Sequence, residues 1–80
     1  MRARVHITLK PGVLDPQGKA IASTLARMGF AGVEGVRQGM SLELDLAETD
    51  PDAARERLDA MCARLLANTV IEDYTIDLAE

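Results

Sequence analysis

From Arg4 to Lys10 the side chains alternate strictly, with Val5, Ile7 and Leu9 on one face and Arg4, His6, Thr8 and Lys10 on the other. A period of two predicts a half-buried strand. The rhythm then changes. Ile21, Leu25 and Met28 recur at helical spacing, and Gly29 is placed as a C-terminal stop, so a helix is predicted over 16–28. Val33 to Arg37 reads as a short second strand and Gln38-Gly39 as a tight turn. Met40, Leu42, Leu44 and Leu46 alternate with Ser41, Glu43 and Asp45 in a third strand, which predicts a hairpin. Thr49-Asp50-Pro51-Asp52 carries a capping carboxylate and a proline at a first helical turn. Ala54, Leu58, Met61, Cys62, Leu65 and Leu66 then form an apolar stripe, and Asn68 is suited to end the helix in a left-handed conformation. The last strand is predicted over 70–78, with Tyr74, Ile76 and Leu78 on one face and Ile71, Asp73, Thr75 and Asp77 on the other.

The element order β-α-β-β-α-β belongs to the α+β class. It is expected to give an antiparallel, ferredoxin-like sheet with spatial order 4-1-3-2 and both helices on one face. The charges support this order. It sets the first strand, with Arg4, His6 and Lys10, between Glu43 and Asp45 on one side and Asp73 and Asp77 on the other. Each opposed pair contributes roughly 0.2 to 1 kcal/mol. His6 is accordingly expected to be a rung of a charge ladder on the outer face. The same ladder is also a candidate centre for a sheet-to-sheet dimer fringed by Val36 and Ile71.

Between the first strand and first helix lies the segment Lys10, Pro11, Gly12, Val13, Leu14, Asp15, Pro16, Gln17 and Gly18. Pro11 and Pro16 fix φ, Gly12 is free to take positive φ, and Asp15 followed by Pro16 is a helix start. Val13 and Leu14 are apolar where solvent-facing residues are expected. Either they tuck under the loop into the core, or they form a docking surface for another chain.

With 80 residues and no low-complexity stretch, residues 1–80 are expected to form one domain. A core of this size supplies only about 3–5 kcal/mol of net stability. One cysteine cannot make an internal disulfide, so oligomerisation is the expected staple. Cys62 falls on the apolar stripe and is read as a core residue. A strand-like amino terminus and a lone reduced thiol point to the cytoplasm, and no apolar run approaches bilayer length. The net charge of −4 opposes nucleic-acid binding, and one Tyr and one Phe provide no stacking platform.

No catalytic constellation is apparent. Cys62 and His6 face opposite ways by pattern, and Glu72 and Asp73, being adjacent on a strand, do not converge on a metal or substrate. No phosphate-binding fingerprint occurs, although Gly18, Lys19 and the free amides of the first helix offer a weaker anion site. No cofactor or metal is expected on this chain. By residues alone this is a small acidic α+β domain whose chemistry resides in what it binds.

The Leu9–Gly18 loop, Val36-Arg37-Gln38-Gly39, Met61-Cys62 and the run from Leu65 to Tyr74 together resemble the PurS family, and the likeness runs through almost the whole chain. Two positions depart from the family pattern: Thr69 replaces a common proline, and Met40 a common lysine. The resemblance implies the noncatalytic small subunit of phosphoribosylformylglycinamidine (FGAM) synthase in purine biosynthesis. Such a subunit bridges a glutaminase subunit (PurQ) and a large ATP-dependent synthetase subunit (PurL) and supports ammonia transfer between them. ATP, magnesium and glutamine would be used by the complex, the isolated chain would be inactive, and it would form a homodimer or tetramer. The expected contact residues are then the 10–18 loop toward another subunit, and Arg37 and Gly39 at the hairpin. Asn68, Ile71, Glu72 and Tyr74 are expected to serve a second surface or the homodimer. The main alternative is a regulatory domain that senses a small molecule at a homodimer interface.

Overall fold

The computed structural model describes residues 1–79. In chain order it contains β1 (Arg2–Leu9), α1 (Pro16–Arg27), β2 (Gly39–Asp45), α2 (Pro51–Met61), a π-helical turn (Cys62–Leu66) and β3 (Glu72–Ala79). The strands form one antiparallel sheet in the order β2-β1-β3. This is the α+β class expected, and the three strands lie in the expected relative order.

Register follows from the alternation. Ala3, Val5 and Ile7 lie opposite Leu44, Leu42 and Met40 on one side, and opposite Leu78, Ile76 and Tyr74 on the other. Cross-strand partners share a face, so these nine side chains make one inner apolar surface. The outer face carries the expected ladder. Arg2 pairs with Asp45 at 3.3 Å, Arg4 with Glu43 at 2.9 Å, His6 with Asp77 at 3.5 Å and Lys10 with Asp73 at 2.6 Å. Beyond β2, Met1 and Leu46 exchange two backbone bonds that extend the pairing to the amino terminus.

The core sits between the inner face and α2. Ala3, Val5, Ile7, Leu58 and Cys62 are buried together, and Leu42, Leu44, Tyr74, Ile76 and Leu78 pack on them. Cys62 is the core residue the stripe predicted, and burial beside the Asp59 carboxylate raises its thiol pKa. α2 starts where expected, its Asp50 carboxylate accepting from the Asp52 amide.

Five local expectations are corrected. Residues 33–37 form no strand and Gln38-Gly39 no hairpin turn, because this segment packs against the start of α1 instead of pairing with a sheet edge. Only α2 covers the sheet: among the described residues, none of α1 belongs to the core or packs on it. The end of α2 widens into a π turn closed by the Ala67 amide bonding to the Cys62 carbonyl, which rotates Leu65 off the stripe and out to 83% exposure. Asn68 does not adopt a left-handed conformation. It organises the turn through its side chain, whose Oδ1 accepts from the Val70 amide. Val70 therefore lies in that turn, and β3 begins at Glu72.

Candidate docking site

The loop expected to be specified is held at both ends. Gly12 has φ +91°, and the Val13 amide bonds back to the Lys10 carbonyl at 3.1 Å. The Lys10 amide in turn bonds to the Ile71 carbonyl at 2.8 Å, which binds the loop to the turn before β3. That turn is organised by Glu72, whose Oε1 accepts from the Asn68 amide at 2.6 Å, while the Asn68 carbonyl accepts from the amides of Ile71 and Glu72. Glu72 and Asp73 diverge as strand geometry requires, the latter being occupied by Lys10.

At the far end of the loop, Asp15 serves two segments. Oδ1 accepts from the Gly18 amide at 2.9 Å, capping α1, and Oδ2 accepts from the Gln38 amide at 2.8 Å. These two backbone donors, the Gly18 one first, hold the Asp15 carboxyl below its ordinary pKa of 3.8, and the charge of Arg37 acts in the same direction. The carboxylate takes up one of the amides at the α1 terminus, and its negative charge opposes an external anion beside it. Gly18 is buried, and a Cβ there would collide with the Val36 carbonyl oxygen and approach the Asp15 carboxylate to 2.7 Å. Gly39 is equally confined, with the Ile7 carbonyl against the position of its missing side chain.

Of the two apolar loop residues, Val13 is half-buried and Leu14 is 67% exposed. Neither residue belongs to the core or packs on it, and of the two Leu14 is the more exposed. Leu65, Val70 at 81% and Ile71 at 39% are also exposed. The Lys10–Ile71 bond joins the Leu14 loop and the Val70 turn at one end of the sheet. The periodicity does not mark Leu65 and Val70 as surface residues: the π turn displaces the first, and the turn organised by Asn68 holds the second. Beside this end, an open groove of about 480 Å³ is lined by Leu9, Asp15, Pro16, Gln17, Gly39 and Glu72 among others, and Ile7 and Met40 contribute apolar wall.

The remaining expected contact residues are dispersed. Pro11 is exposed at the loop tip and Arg37 is exposed beside the Asp15 latch. Tyr74 is on the inner face, its hydroxyl donating to Asp59 at 3.2 Å. Burial, and then this bond to an anion, raise its pKa. His6 and Cys62 lie on opposite faces of the sheet, so His6 is not placed to act as a base for the Cys62 thiol. What the geometry offers at this end of the sheet is exposed apolar side chains beside the Lys10–Asp73 ion pair, on a loop and a turn joined by a backbone hydrogen bond. No described helix is long and apolar enough to cross a membrane.

A family model described as PurS, phosphoribosylformylglycinamidine (FGAM) synthase, matches residues 2–80. The PurS subunit of Synechocystis is 48% identical over 75 residues, which span 94% of this chain and 75% of that protein. The Bacillus subtilis subunit is 42% identical over 79 residues, 99% of this chain and 93% of its own length. Among solved structures, Methanocaldococcus jannaschii PurS superposes with a TM-score of 0.85 at 38% identity, covering 95% of this chain and 92% of that one. A chain of the Thermotoga maritima PurLQS structure superposes with a TM-score of 0.87 at 26% identity, covering 95% and 93%. The chain described here therefore belongs to the PurS family of FGAM synthase subunits.

Proposed function

We propose that this chain is the noncatalytic small subunit of an FGAM synthase complex in purine biosynthesis, acting in the cytoplasm. It bridges a PurL-like synthetase and a PurQ-like glutaminase, itself as a homodimer or tetramer. The observation that carries this reading is the family match over residues 2–80, and the PurLQS structure of a relative is the context from which the partners are taken.

The chemistry explains why a bridge is needed. A glutaminase releases ammonia, and ATP, with magnesium, activates the amide oxygen of formylglycinamide ribonucleotide so that ammonia can attack. Ammonia escaping to neutral water becomes mostly ammonium, which has no lone pair to attack with. A subunit that holds the two sites together raises the yield without contributing a catalytic group. ATP, magnesium and glutamine are on this reading handled by the larger subunits.

The exposed Leu14, Val70 and Ile71, on the loop and turn joined by the Lys10–Ile71 bond, are suited to one of these contacts, since a few apolar anchors at an interface centre dominate binding energy. The test is capture of purified PurL-like and PurQ-like subunits from the same genome by tagged full-length chain, with glutamine, ATP and magnesium present. Co-elution of both supports the bridge. Co-elution of neither, with only a homo-oligomer recovered, refutes it.

A further inference from the structure

β3 is an edge strand, and the register shows which of its backbone groups are free. The Lys10 amide bonds to the Ile71 carbonyl, so these two residues are a hydrogen-bonded pair of the antiparallel ladder, and bonded and non-bonded pairs alternate from there. Asp73, Thr75 and Asp77 therefore turn their amides and carbonyls to β1, while Glu72, Tyr74, Ile76 and Leu78 turn theirs outward. The outward Glu72 amide is taken by the Asn68 carbonyl within the preceding turn. The open edge runs from Tyr74 to Leu78, with Ile76 at its middle.

Such an edge is a template for strand addition, and folded proteins blunt it with proline, lysine, a bulge or a free charge. β3 reads Glu-Asp-Tyr-Thr-Ile-Asp-Leu-Ala and contains no proline, glycine or lysine. Its carboxylates are engaged within the chain: Glu72 accepts from the Asn68 amide, Asp73 accepts from Lys10 at 2.6 Å, and Asp77 lies 3.5 Å from His6. What reaches the open side comes from the helix. Arg55 and Asp59, one turn apart on α2, both extend to β3: Asp59 accepts from the Tyr74 hydroxyl at 3.2 Å, and Arg55 Nη1 donates to the Ile76 carbonyl at 3.4 Å. At that length the bond is weak, and its consequence lies in what it covers. A strand arriving at Ile76 has to bring an amide to the place the guanidinium already holds.

We propose that Arg55 is an edge guard, closing the middle of β3 to non-native strand addition by further copies of this chain. It acts by occupying the Ile76 carbonyl and setting a positive charge at the edge, and not by stabilising the fold. This protective role is separate from the contacts that assemble a complex, and it stands whether or not the bridging role above does.

The test compares Arg55→Ala with Arg57→Ala in the full-length chain. Each removes one positive charge from a chain that is already negative, which by itself opposes association. Arg57 lies on the other flank of α2, beside Asp45, Leu46 and Glu48, and serves as the control. The variants are held below their melting temperatures at equal concentration, and aggregation is followed by thioflavin fluorescence and light scattering. Arg55→Ala is expected to aggregate at least about tenfold faster than wild type with an unchanged melting curve, and Arg57→Ala no faster than wild type. Adding Thr75→Lys, which places a lysine at an exposed position of the same edge, is expected to return Arg55→Ala to the wild-type rate. Equal rates for Arg55→Ala and wild type, equal acceleration by Arg57→Ala, or acceleration that Thr75→Lys leaves in place overturns the proposal. If Arg55→Ala does not fold, Arg55→Gln, shorter and uncharged, is read in the same way.

Discussion

Asp15 and Gln38 are 23 residues apart, yet Asp15 Oδ2 accepts a 2.8 Å hydrogen bond from the Gln38 backbone amide while Oδ1 caps α1 through Gly18. One carboxylate thereby fixes both the start of α1 and the 33–38 segment. Because this lowers the Asp15 pKa, its contribution is complete above the ordinary value and is lost as pH falls through the folded one, a window lying below about pH 4. Asp15→Asn keeps an acceptor for Gly18 but leaves Gln38 without its carboxylate. It is expected to lower Tm at neutral pH by a few degrees and to flatten the acid limb of Tm against pH, leaving the part due to Glu48, which is also lowered by backbone donors. Circular dichroism melts from pH 7 to pH 2.5 check this; an acid limb as steep as that of the wild type contradicts it.

Leu58 and Leu65 are seven residues apart, a spacing that ordinarily puts two helical residues on one face. The π turn separates them, leaving Leu58 fully buried and Leu65 at 83% exposure. Leu58→Ala is expected to cost about 2–5 kcal/mol, enough to unfold a domain of this size. Leu65→Ala is expected to stay within about 0.5 kcal/mol of wild type. Urea unfolding of the two variants measures the difference, and equal losses would mean that the helix continues regularly through residue 65.

The outer ladder is exposed on both sides of every pair. Arg4→Ala removes one rung and is expected to cost no more than about 1 kcal/mol. Arg4→Glu places like charge opposite both Glu43 and Asp77 and should cost more, with the difference shrinking in high salt. Denaturant midpoints at low and high ionic strength report this. A salt-independent difference would locate the effect in packing.

Leu14 is 67% exposed and joins no part of the core. Leu14→Asp is therefore expected to leave helix content and oligomeric state unchanged while reducing binding to the synthetase subunit at least tenfold. Calorimetric titration with that subunit decides; wild-type affinity in a folded variant removes Leu14 from the docking surface.

Much of this architecture was legible because its signals are local and redundant. Asp15-Pro16 and Asp50-Pro51 announce both helix starts through cap and proline together, and the alternation in β1 and β3 assigns both faces of the sheet. The misreadings occur where a local pattern competes with a distant one. Val33 to Arg37 reads locally as a short strand before a turn, but the next residue, Gln38, is held by Asp15 and Val36 abuts Gly18, contacts invisible to a short window. The π turn breaks a periodicity that residues 54–66 otherwise maintain, so the pattern places Leu65 on the core stripe while the fold exposes it. The shape of the 10–18 loop is legible through its prolines and glycines, and Asn68, Ile71 and Glu72 stand out as well; the link between loop and turn is not legible, because the Lys10–Ile71 bond spans most of the chain.

The central claim is that this chain contributes connection and no catalytic group. The most direct measurement compares FGAM formation by the PurL-like and PurQ-like subunits with and without this chain, using glutamine or ammonium chloride as nitrogen donor. The account predicts that omission abolishes glutamine-dependent synthesis while synthesis from high ammonium persists. Equal loss from both donors would mean that the chain supplies something to the chemical step itself, and full glutamine-dependent activity in its absence would mean that no bridge is needed.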